Sequence, residues 1–170
     1  MPIRIALIDL DGTLVDTRAI DALRAARNWK GCVASLSKTA VFDGIEKLLA
    51  DLVSNKIKIA VVTTSVSFYA SAVLKHHKLP CDCLVAYHDA RPKPAPDPFL
   101  KALSHFNFHA SEAVGLGDGS PDLYGLQAAR IRAIGAGWSP TIFEPEKWDV
   151  VAAAPDQILT LIDGINSSGG

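Results

Sequence analysis

Short apolar runs, rich in β-branched residues, recur along the chain and alternate with segments in which apolar residues have helical spacing. The runs predict five buried β-strands, at residues 3–8, 57–62, 83–87, 113–116 and 131–134. Helical periodicity predicts amphipathic helices at residues 45–52, 99–106 and 158–162. Strands that are apolar on both faces and alternate with helices are typical of a parallel sheet covered on both sides.

We therefore predict an α/β fold: a doubly wound, Rossmann-like parallel sheet in a three-layer α/β/α arrangement. The length of 170 residues suits one domain, which we place at 1–165, followed by a flexible tail at 166–170. Between the first strand and the first clear helix, residues 16–41 have room for one short amphipathic helix. We expect Ile20 and Leu23 to face inward from it.

Composition narrows the class of protein. A hydrophobic fraction of 49% is too high for a disordered chain. The formal net charge of −1 gives no overall basic excess for nucleic-acid binding. The longest apolar runs are only about five residues, far short of a membrane span. Three cysteines are too few, and odd in number, for a disulfide scaffold. This count suggests a reducing compartment, so we expect a cytoplasmic protein.

Two acids follow the first predicted strand. Ligands of parallel α/β sheets bind beyond the carboxyl ends of the strands, so residues at these ends are candidates for function. Asp9 and Asp11 are two positions apart, and on an extended segment they point the same way. Gly12 permits a sharp turn after them. Two carboxylates this close repel each other unless a cation lies between them or one binds a proton.

The ends of other strands and the proline-rich loop at 88–98 add hydroxyls, an ammonium and two more acids. These are Thr63, Thr64, Lys93, Asp118 and Asp122. Magnesium prefers carboxylate and phosphate oxygens as ligands, while hydroxyl and ammonium groups bind the remaining phosphate oxygens. A free carboxylate can attack phosphorus. The set therefore predicts magnesium-assisted phosphoryl transfer.

In order along the chain, four motifs resemble those of the haloacid dehalogenase-like hydrolases, most closely the branch of phosphoglycolate phosphatase and β-phosphoglucomutase. They are Asp-Leu-Asp-Gly-Thr at 9–13, Val-Thr-Thr-Ser at 62–65, Lys-Pro-Ala-Pro-Asp at 93–97 and Gly-Asp-Gly-Ser-Pro-Asp at 117–122. One such motif alone would be weak, but four in order cover most of the chain. The resemblance implies a magnesium-dependent phosphatase that acts on a phosphorylated substrate.

The resemblance also implies a role for each motif residue. Asp9 would be the nucleophile, and Asp11 the general acid that protonates the leaving oxygen and then the base that activates water. Phosphate would be bound by Gly12, Thr63, Thr64 and Lys93. Magnesium would be held by Asp9, the backbone carbonyl of Asp11, Asp118 and Asp122, the last as a ligand or as an orienting partner. Taken singly, Asp118 and Asp122 also fit acids at the start of a helix.

The residue two positions after the nucleophile restricts the reaction. Relatives that remove halide lack a carboxylate there, and ion-pumping ATPases have threonine. Asp11 therefore implies that the phosphoenzyme is both formed and hydrolysed. A phosphatase or a phosphomutase remains.

The close relatives insert a helical cap over their sites, for which residues 16–41, here called the cap segment, are too short. A mutase needs a lid to retain its intermediate, so a minimal cap favours hydrolysis. An open site also suggests a bulky substrate, such as a phosphorylated protein or nucleic-acid end, or a neighbouring subunit as the lid in an oligomer. The cap segment has a basic excess, from Arg18, Arg24, Arg27, Lys30 and Lys38 against Asp16 and Asp21. This excess could attract an anionic substrate or could simply be a solvated helix face.

Three other interpretations have less support. His76, His77, Cys81 and Cys83 lack the spacing of a tetrahedral zinc site. A receiver-type phosphoacceptor module shares the fold and the residue types, but its phosphorylated aspartate follows the third strand. A catalytically weak partner protein with the same fold is disfavoured because every motif residue is present.

Overall fold

The computed structural model describes residues 1–168, and in it strands and helices alternate along the chain. The strands, in chain order, are β1 (Ile5–Ile8), β2 (Val15–Asp16), β3 (Ala40–Val41), β4 (Lys58–Val62), β5 (Cys83–Val85), β6 (Ala113–Gly117), β7 (Arg132–Ala136) and β8 (Val150–Ala152). The helices are α1 (Asp21–Ala25), α2 (Trp29–Ala34), α3 (Ile45–Ser54), α4 (Ser67–His76), α5 (Asp97–Phe106), α6 (Ser120–Ala128) and α7 (Gln157–Ser168). Four short 3-10 helices complete the described elements, at Arg18–Ile20, Leu36–Lys38, Ala110–Glu112 and Pro145–Lys147.

Six of the strands form one parallel sheet in the order β5-β4-β1-β6-β7-β8. From the central strand β1 the chain first builds outward through β4 and β5, then crosses to the other side and builds β6, β7 and β8. Strands β1 and β6 are neighbours, with Ile8 opposite Leu116. The order of the strands therefore reverses between β1 and β6, which opens a crevice at their carboxyl ends.

Helices cover both faces of this sheet, as the alternation of side chains in β1 illustrates. Ala6 and Ile8 belong to the apolar cluster on one face, which includes residues of α3, α4 and α7. Ile5 and Leu7 belong to the cluster on the other face, which includes residues of α5 and α6. All four side chains are fully buried. The predicted three-layer α/β/α fold is confirmed.

The structure also contains elements that the sequence did not predict. Helices α4 and α6 have weak amphipathic patterns, and β8 is a short strand at the edge of the sheet. The predicted third strand ends early, at Val85, because the Ala86 N–H donates to the Asp89 carboxylate at 2.7 Å. In the described part of the chain, no helix is both long and apolar enough to cross a membrane.

The cap segment contains two short helices, α1 and α2, so the prediction of a single helix is wrong. The break falls where Arg27 adopts a left-handed backbone, with φ 53°, and Asn28 caps α2 by accepting from the Gly31 N–H at 3.0 Å. Ile20 is buried and Leu23 packs against the core, as predicted. Strands β2 and β3 pair antiparallel, so the cap segment leaves and rejoins the domain at one place.

The predicted tail at 166–170 begins within helix α7. Residues 166–168 form the last turn of α7, and the Asn166 side-chain oxygen accepts a hydrogen bond from the Ile3 N–H at 2.7 Å. This bond joins the end of α7 to the chain just before β1. Residues 169–170 lie outside the described residues.

Helix α3 offers a direct test of the core. Leu49 is fully buried under the sheet, whereas Val53, one turn later, is 54% exposed. We expect Leu49→Ala to lower the free energy of unfolding by about 2–5 kcal/mol, because it removes buried methyl groups and leaves a cavity. Val53→Ala, the matched control, should change it by no more than about 0.5 kcal/mol. Urea titration measures both, and equal effects would contradict the packing described here.

Candidate active site

The predicted functional residues gather at the crevice between β1 and β6. Asp9 directly follows β1 and Asp118 directly follows β6, and the Asp9 N–H donates to the Leu116 carbonyl at 2.9 Å. Parallel pairing therefore brings two residues distant in sequence to the same edge. Asp122 joins them from the first turn of α6, where its side chain accepts from the Gly119 N–H at 3.1 Å.

Asp9, Asp118 and Asp122 form a buried acidic cluster whose potential ligand atoms lie within 4.8 Å of one another. Burial is the main cause of the raised pKa of each carboxyl. For Asp9, burial and the nearby charge of Asp122 raise the pKa from 3.8 to about 7. Clustered carboxylates that are costly to ionise together are suited to a divalent cation, which would favour their ionised forms.

Lys93 partly offsets this accumulation of negative charge. Its ammonium lies 2.7 Å from Asp9 Oδ1 and 2.5 Å from Asp122 Oδ1, and it donates to the Val62 carbonyl at 2.8 Å. Burial alone would lower the pKa of Lys93, but the charges of Asp122 and Asp9 raise it above its ordinary value. The ammonium therefore stays charged and uses all three of its hydrogens.

Asp118 is held by hydroxyl groups that the sequence analysis did not identify. Thr13 donates to Asp118 Oδ1 at 3.1 Å, while Ser139 and Thr141 donate to Oδ2 at 3.1 and 2.6 Å. Ser139 and Thr141 lie in the loop after β7, a neighbour of β6 in the sheet. Their position just after a strand could have marked these two residues in the sequence. Serine and threonine are so common in loops, however, that this position alone does not distinguish them.

Gly12 allows the loop after β1 to approach Asp118 closely. Its φ is +86°, and a Cβ at this position would lie 2.6 Å from Asp118 Oδ2. The indole N–H of Trp138 donates to the Thr13 carbonyl at 2.9 Å and holds the same loop from the other side. A side chain at position 12 would therefore displace the acidic cluster as well as strain the backbone.

Asp11 lies apart from the acidic cluster. Its carboxylate accepts hydrogen bonds from the Tyr69 hydroxyl at 2.7 Å and from Ser65 Oγ at 2.8 Å, and pairs with Arg24 Nη2 at 3.2 Å. Burial and the Asp11 charge raise the pKa of Tyr69, so this phenol remains a donor. The structure thus gives Asp11 partners from α4, the loop after β4 and the cap segment.

The two threonines after β4 differ in their surroundings. Thr63 is buried, and its hydroxyl accepts from the Ser65 N–H at 3.0 Å. Within residues 1–168 the hydroxyl proton of Thr63 has no acceptor, so it is free to be donated. Thr64 is exposed and lines a cavity beside the cap segment.

The histidines and cysteines considered for zinc do not form a site. His77 bonds to the Thr39 hydroxyl at 2.8 Å, and the Cys81 thiol donates to the Cys83 carbonyl at 3.0 Å. Among the described residues, the only group of acids, histidines or cysteines close enough to share a metal is the acidic cluster.

Comparison with known proteins identifies the family. The sequence profile of the haloacid dehalogenase-like hydrolases matches residues 20–136, more than half of the chain. The chain belongs to this family.

Solved structures agree on the fold. The structure of a protein provisionally named phosphoglycolate phosphatase from Lactobacillus plantarum is 20% identical, with a TM-score of 0.81 over 95% of this chain and 100% of that one. CbbY from Rhodobacter sphaeroides, solved with phosphate, is 21% identical, with a TM-score of 0.81 over 95% and 99%.

A further relative is more similar in sequence than these solved structures. A protein of Caldanaerobacter subterraneus, provisionally named pyrophosphatase PpaX, is 34% identical over 132 residues. The match covers 74% of this chain and 60% of that relative. This chain therefore spans about three fifths of the length of that relative.

The raised pKa of Asp9 predicts that cation binding depends on pH. Below about pH 7 a divalent cation such as Mg²⁺ must displace a proton from Asp9, so its affinity should fall as the pH falls. In the metal-free protein, pH has the opposite effect on folding stability. The folded state binds this proton more tightly than the unfolded chain, so the stability contributed by Asp9 falls as the pH rises from 3.8 to about 7.

The measurement is the shift in melting temperature on adding Mg²⁺. We expect a clearly larger shift at about pH 8 than at about pH 5.5. Asp118→Asn should remove most of the shift at both values, and Asp163→Asn, an exposed change on α7, should leave it intact. Equal shifts at the two pH values would contradict the raised pKa.

Proposed function

We propose that this chain is a magnesium-dependent phosphatase that hydrolyses a phosphate monoester through an aspartyl-phosphate on Asp9. The observation that carries the proposal is the acidic cluster of Asp9, Asp118 and Asp122, with the Lys93 ammonium against two of its members. Membership of the haloacid dehalogenase-like hydrolases supports it. So does the provisional name of the related pyrophosphatase, which describes phosphoryl chemistry in that protein.

The acidic cluster fits a magnesium ion by the chemistry of its donors. Its members offer hard, anionic oxygens, and burial disfavours their ionisation in the absence of a cation. Asp9, Asp118 and Asp122 would hold the ion, and a contribution from the Asp11 carbonyl stays a prediction. Bound magnesium would neutralise charge on these carboxylates and on the phosphate oxygens.

Asp9 is suited to attack on phosphorus because Lys93 holds one of its oxygens, Oδ1, at 2.7 Å. In the first step a bond forms between a carboxylate oxygen of Asp9 and phosphorus while the bond from phosphorus to the leaving oxygen breaks. Lys93 would exchange one of its three present contacts for a phosphate oxygen, and the Thr63 hydroxyl would bind another. Both would stabilise the charge on these oxygens. Phosphate contacts from Thr64 and from the backbone at Gly12 are further predictions.

Asp11 would move the protons. It would donate one to the leaving oxygen in the first step, then accept one from the water that attacks phosphorus and releases Asp9. Both oxygens of Asp11 already have donors, from Ser65, Tyr69 and Arg24. To reach the substrate, Asp11 must therefore exchange at least one of these contacts for the leaving oxygen.

Hydrolysis fits this site better than the alternatives. The short helices of the cap segment are less suited than a full cap to retain an intermediate away from water, so a mutase is disfavoured. A receiver-type module would have its phosphorylated aspartate after the third strand, whereas the acidic cluster here begins after β1. A phosphorylated small molecule is the simplest substrate. The bulky substrate, the nucleic-acid end, the lid from a second subunit and the cytoplasmic location stay predictions.

The first test replaces the nucleophile. Asp9→Asn should lower magnesium-dependent hydrolysis of an aryl phosphate at least about a thousandfold. Loss of the covalent nucleophile should raise the barrier by several kcal/mol, and each decade of rate corresponds to ~1.4 kcal/mol. Asp163→Asn is the control and should retain full activity. Circular dichroism checks that both variants fold. More than about a tenth of wild-type activity in Asp9→Asn would refute the assignment, and an inactive wild type would favour the weak partner protein.

The second test concerns Asp11. With an activated aryl phosphate, whose leaving group needs no proton, Asp11→Asn should slow hydrolysis of the phosphoenzyme far more than its formation. The phosphoenzyme should then accumulate and appear by mass spectrometry as a phosphorylated Asp9 peptide after an acid quench. The wild type should show little of it. A variant with no trapped adduct and unchanged relative rates on activated and unactivated esters would show that Asp11 only shapes the loop.

A further inference from the structure

The loop after β7 holds Asp118 by both its backbone and its side chain. The Phe143 N–H donates to the Asp118 carbonyl at 2.7 Å. The hydroxyls of Ser139 and Thr141 lie 3.1 and 2.6 Å from Asp118 Oδ2. The start of the loop is itself fixed, because the Ser139 N–H donates to the Ala136 carbonyl at the end of β7, at 2.9 Å. A segment from the neighbouring strand therefore orients Asp118.

The two hydroxyls of this loop have two protons for three contacts. Ser139 Oγ and Thr141 Oγ1 lie 3.0 Å apart, so each can donate to Asp118 Oδ2 or to the other hydroxyl. They cannot donate to each other at the same time, because one contact holds one proton. Within this set, at least one proton therefore goes to Asp118 Oδ2. Thr141 is the better donor, because its contact is the shortest and Ser139 Oγ also accepts from the Thr141 N–H at 3.4 Å.

The other oxygen of Asp118 is on the side of Asp9. Asp118 Oδ1 lies 3.1 Å from Thr13 Oγ1, and the same hydroxyl lies 3.5 Å from Asp9 Oδ2. The Thr13 hydroxyl has a single proton, so lone pairs of both oxygens stay available to a cation. The contacts thus divide the two oxygens of Asp118: the loop after β7 binds Oδ2, and Oδ1 is turned towards the acidic cluster.

The other two members of the acidic cluster also have an oxygen engaged. Lys93 binds Asp9 Oδ1 at 2.7 Å and Asp122 Oδ1 at 2.5 Å. Asp122 Oδ2 accepts from the Gly119 N–H at 3.1 Å. A carboxylate with one oxygen already bound offers a cation one oxygen rather than two. Single oxygens suit Mg²⁺, which needs a small octahedral shell, whereas Ca²⁺ takes more ligands and often both oxygens of a carboxylate.

We propose that Thr141, with Ser139 beside it, is a positioning residue for the cation, and that its hydroxyl holds Oδ2 so that Asp118 binds Mg²⁺ through Oδ1 alone. The inference rests on the proposed function, which requires Mg²⁺ in the acidic cluster, and it adds two residues from outside the four motifs. Thr141 contacts neither the cation nor the substrate and acts through Asp118. The pair of hydroxyls therefore favours Mg²⁺ over Ca²⁺.

Isothermal titration calorimetry of the whole chain with Mg²⁺ and with Ca²⁺, without substrate, tests this role. Thr141→Val keeps the shape of the side chain and removes the hydroxyl. We expect it to raise the Kd for Mg²⁺ about tenfold. The Kd for Ca²⁺ should change less than about threefold, because the released Oδ2 offers Ca²⁺ a second oxygen. A hydroxyl that only folded the loop would not change the ratio of the two Kd values.

Further variants make the result specific. Thr141→Ser keeps the hydroxyl and should bind Mg²⁺ within about twofold of the wild type. Ser139→Ala combined with Thr141→Val should weaken Mg²⁺ binding more than Thr141→Val alone, because Ser139 can no longer replace the lost donor. Thr160→Val, an exposed change on α7, is the control and should alter neither Kd. Melting temperatures without metal show whether each variant folds.

Ser139→Ala alone gives a second measurement of the same effect. It should raise the Kd for Mg²⁺ by about threefold, because Thr141 remains as the better donor, and it should lower the preference for Mg²⁺ over Ca²⁺. This variant replaces Thr141→Val in the comparison if Thr141→Val does not fold.

The outcomes separate this inference from the proposed function. If the variants bind Mg²⁺ as tightly as the wild type, or if both Kd values rise by the same factor, the positioning role is refuted and the phosphatase stands. If the wild type binds Mg²⁺ as expected but hydrolyses no aryl phosphate, the proposed function fails and the calorimetry still decides the positioning role. If the wild type binds no Mg²⁺, both are refuted.

Discussion

The arrangement of the site depends on the ion pairs that the Lys93 ammonium forms with Asp9 and Asp122. Three carboxylates lie within 4.8 Å of one another in a buried crevice, and Lys93 contacts two of them. Removing one partner of such a buried pair typically costs about 3–5 kcal/mol, because a charge is left without compensation. One positive charge does not balance three carboxylates, so the same crevice that buries Lys93 also favours a divalent cation. Stability and cation binding are thus linked through one group of side chains.

The sheet topology is what brings these charges together. Asp9 follows β1 and Asp118 follows β6, and the chain passes through β4 and β5 between them. The crossover then opens the crevice at the reversal of strand order. Loops from several strands can therefore contribute to one site, as Ser139 and Thr141 do from beyond β7.

The cap segment reaches the site through its charged side chains. Its two helices are short, but Arg24 reaches Asp11, and Arg27 extends over Tyr87 beside the adjoining cavity. The left-handed backbone of Arg27, which separates the two helices, also places this residue at the cavity. The two short helices of the cap segment therefore contact Asp11 and line the adjoining cavity.

The sequence alone determined the fold class and predicted which residues meet at the candidate site. Continuous apolar runs predicted the central strands, because strands buried on both faces cannot be polar at alternate positions. The motifs carrying Asp9, Lys93 and Asp118 could be recognised because each is local and each lies at a strand end. Their predicted roles remain to be tested. Strand β8 and helices α4 and α6 were not predicted, because short edge strands and weakly amphipathic helices have little periodicity.

Only the tertiary structure decided how these residues interact. The pairing of Lys93 with Asp122, and the contacts of Asp11 with Tyr69 and Arg24, join distant parts of the chain. No local pattern encodes such contacts, because they depend on the order of the strands and on how far each loop reaches beyond the sheet. The ion pairs of the cap segment are of the same kind. The sequence showed a basic excess there, but only the folded chain showed that Arg18 and Arg24 are paired with acids.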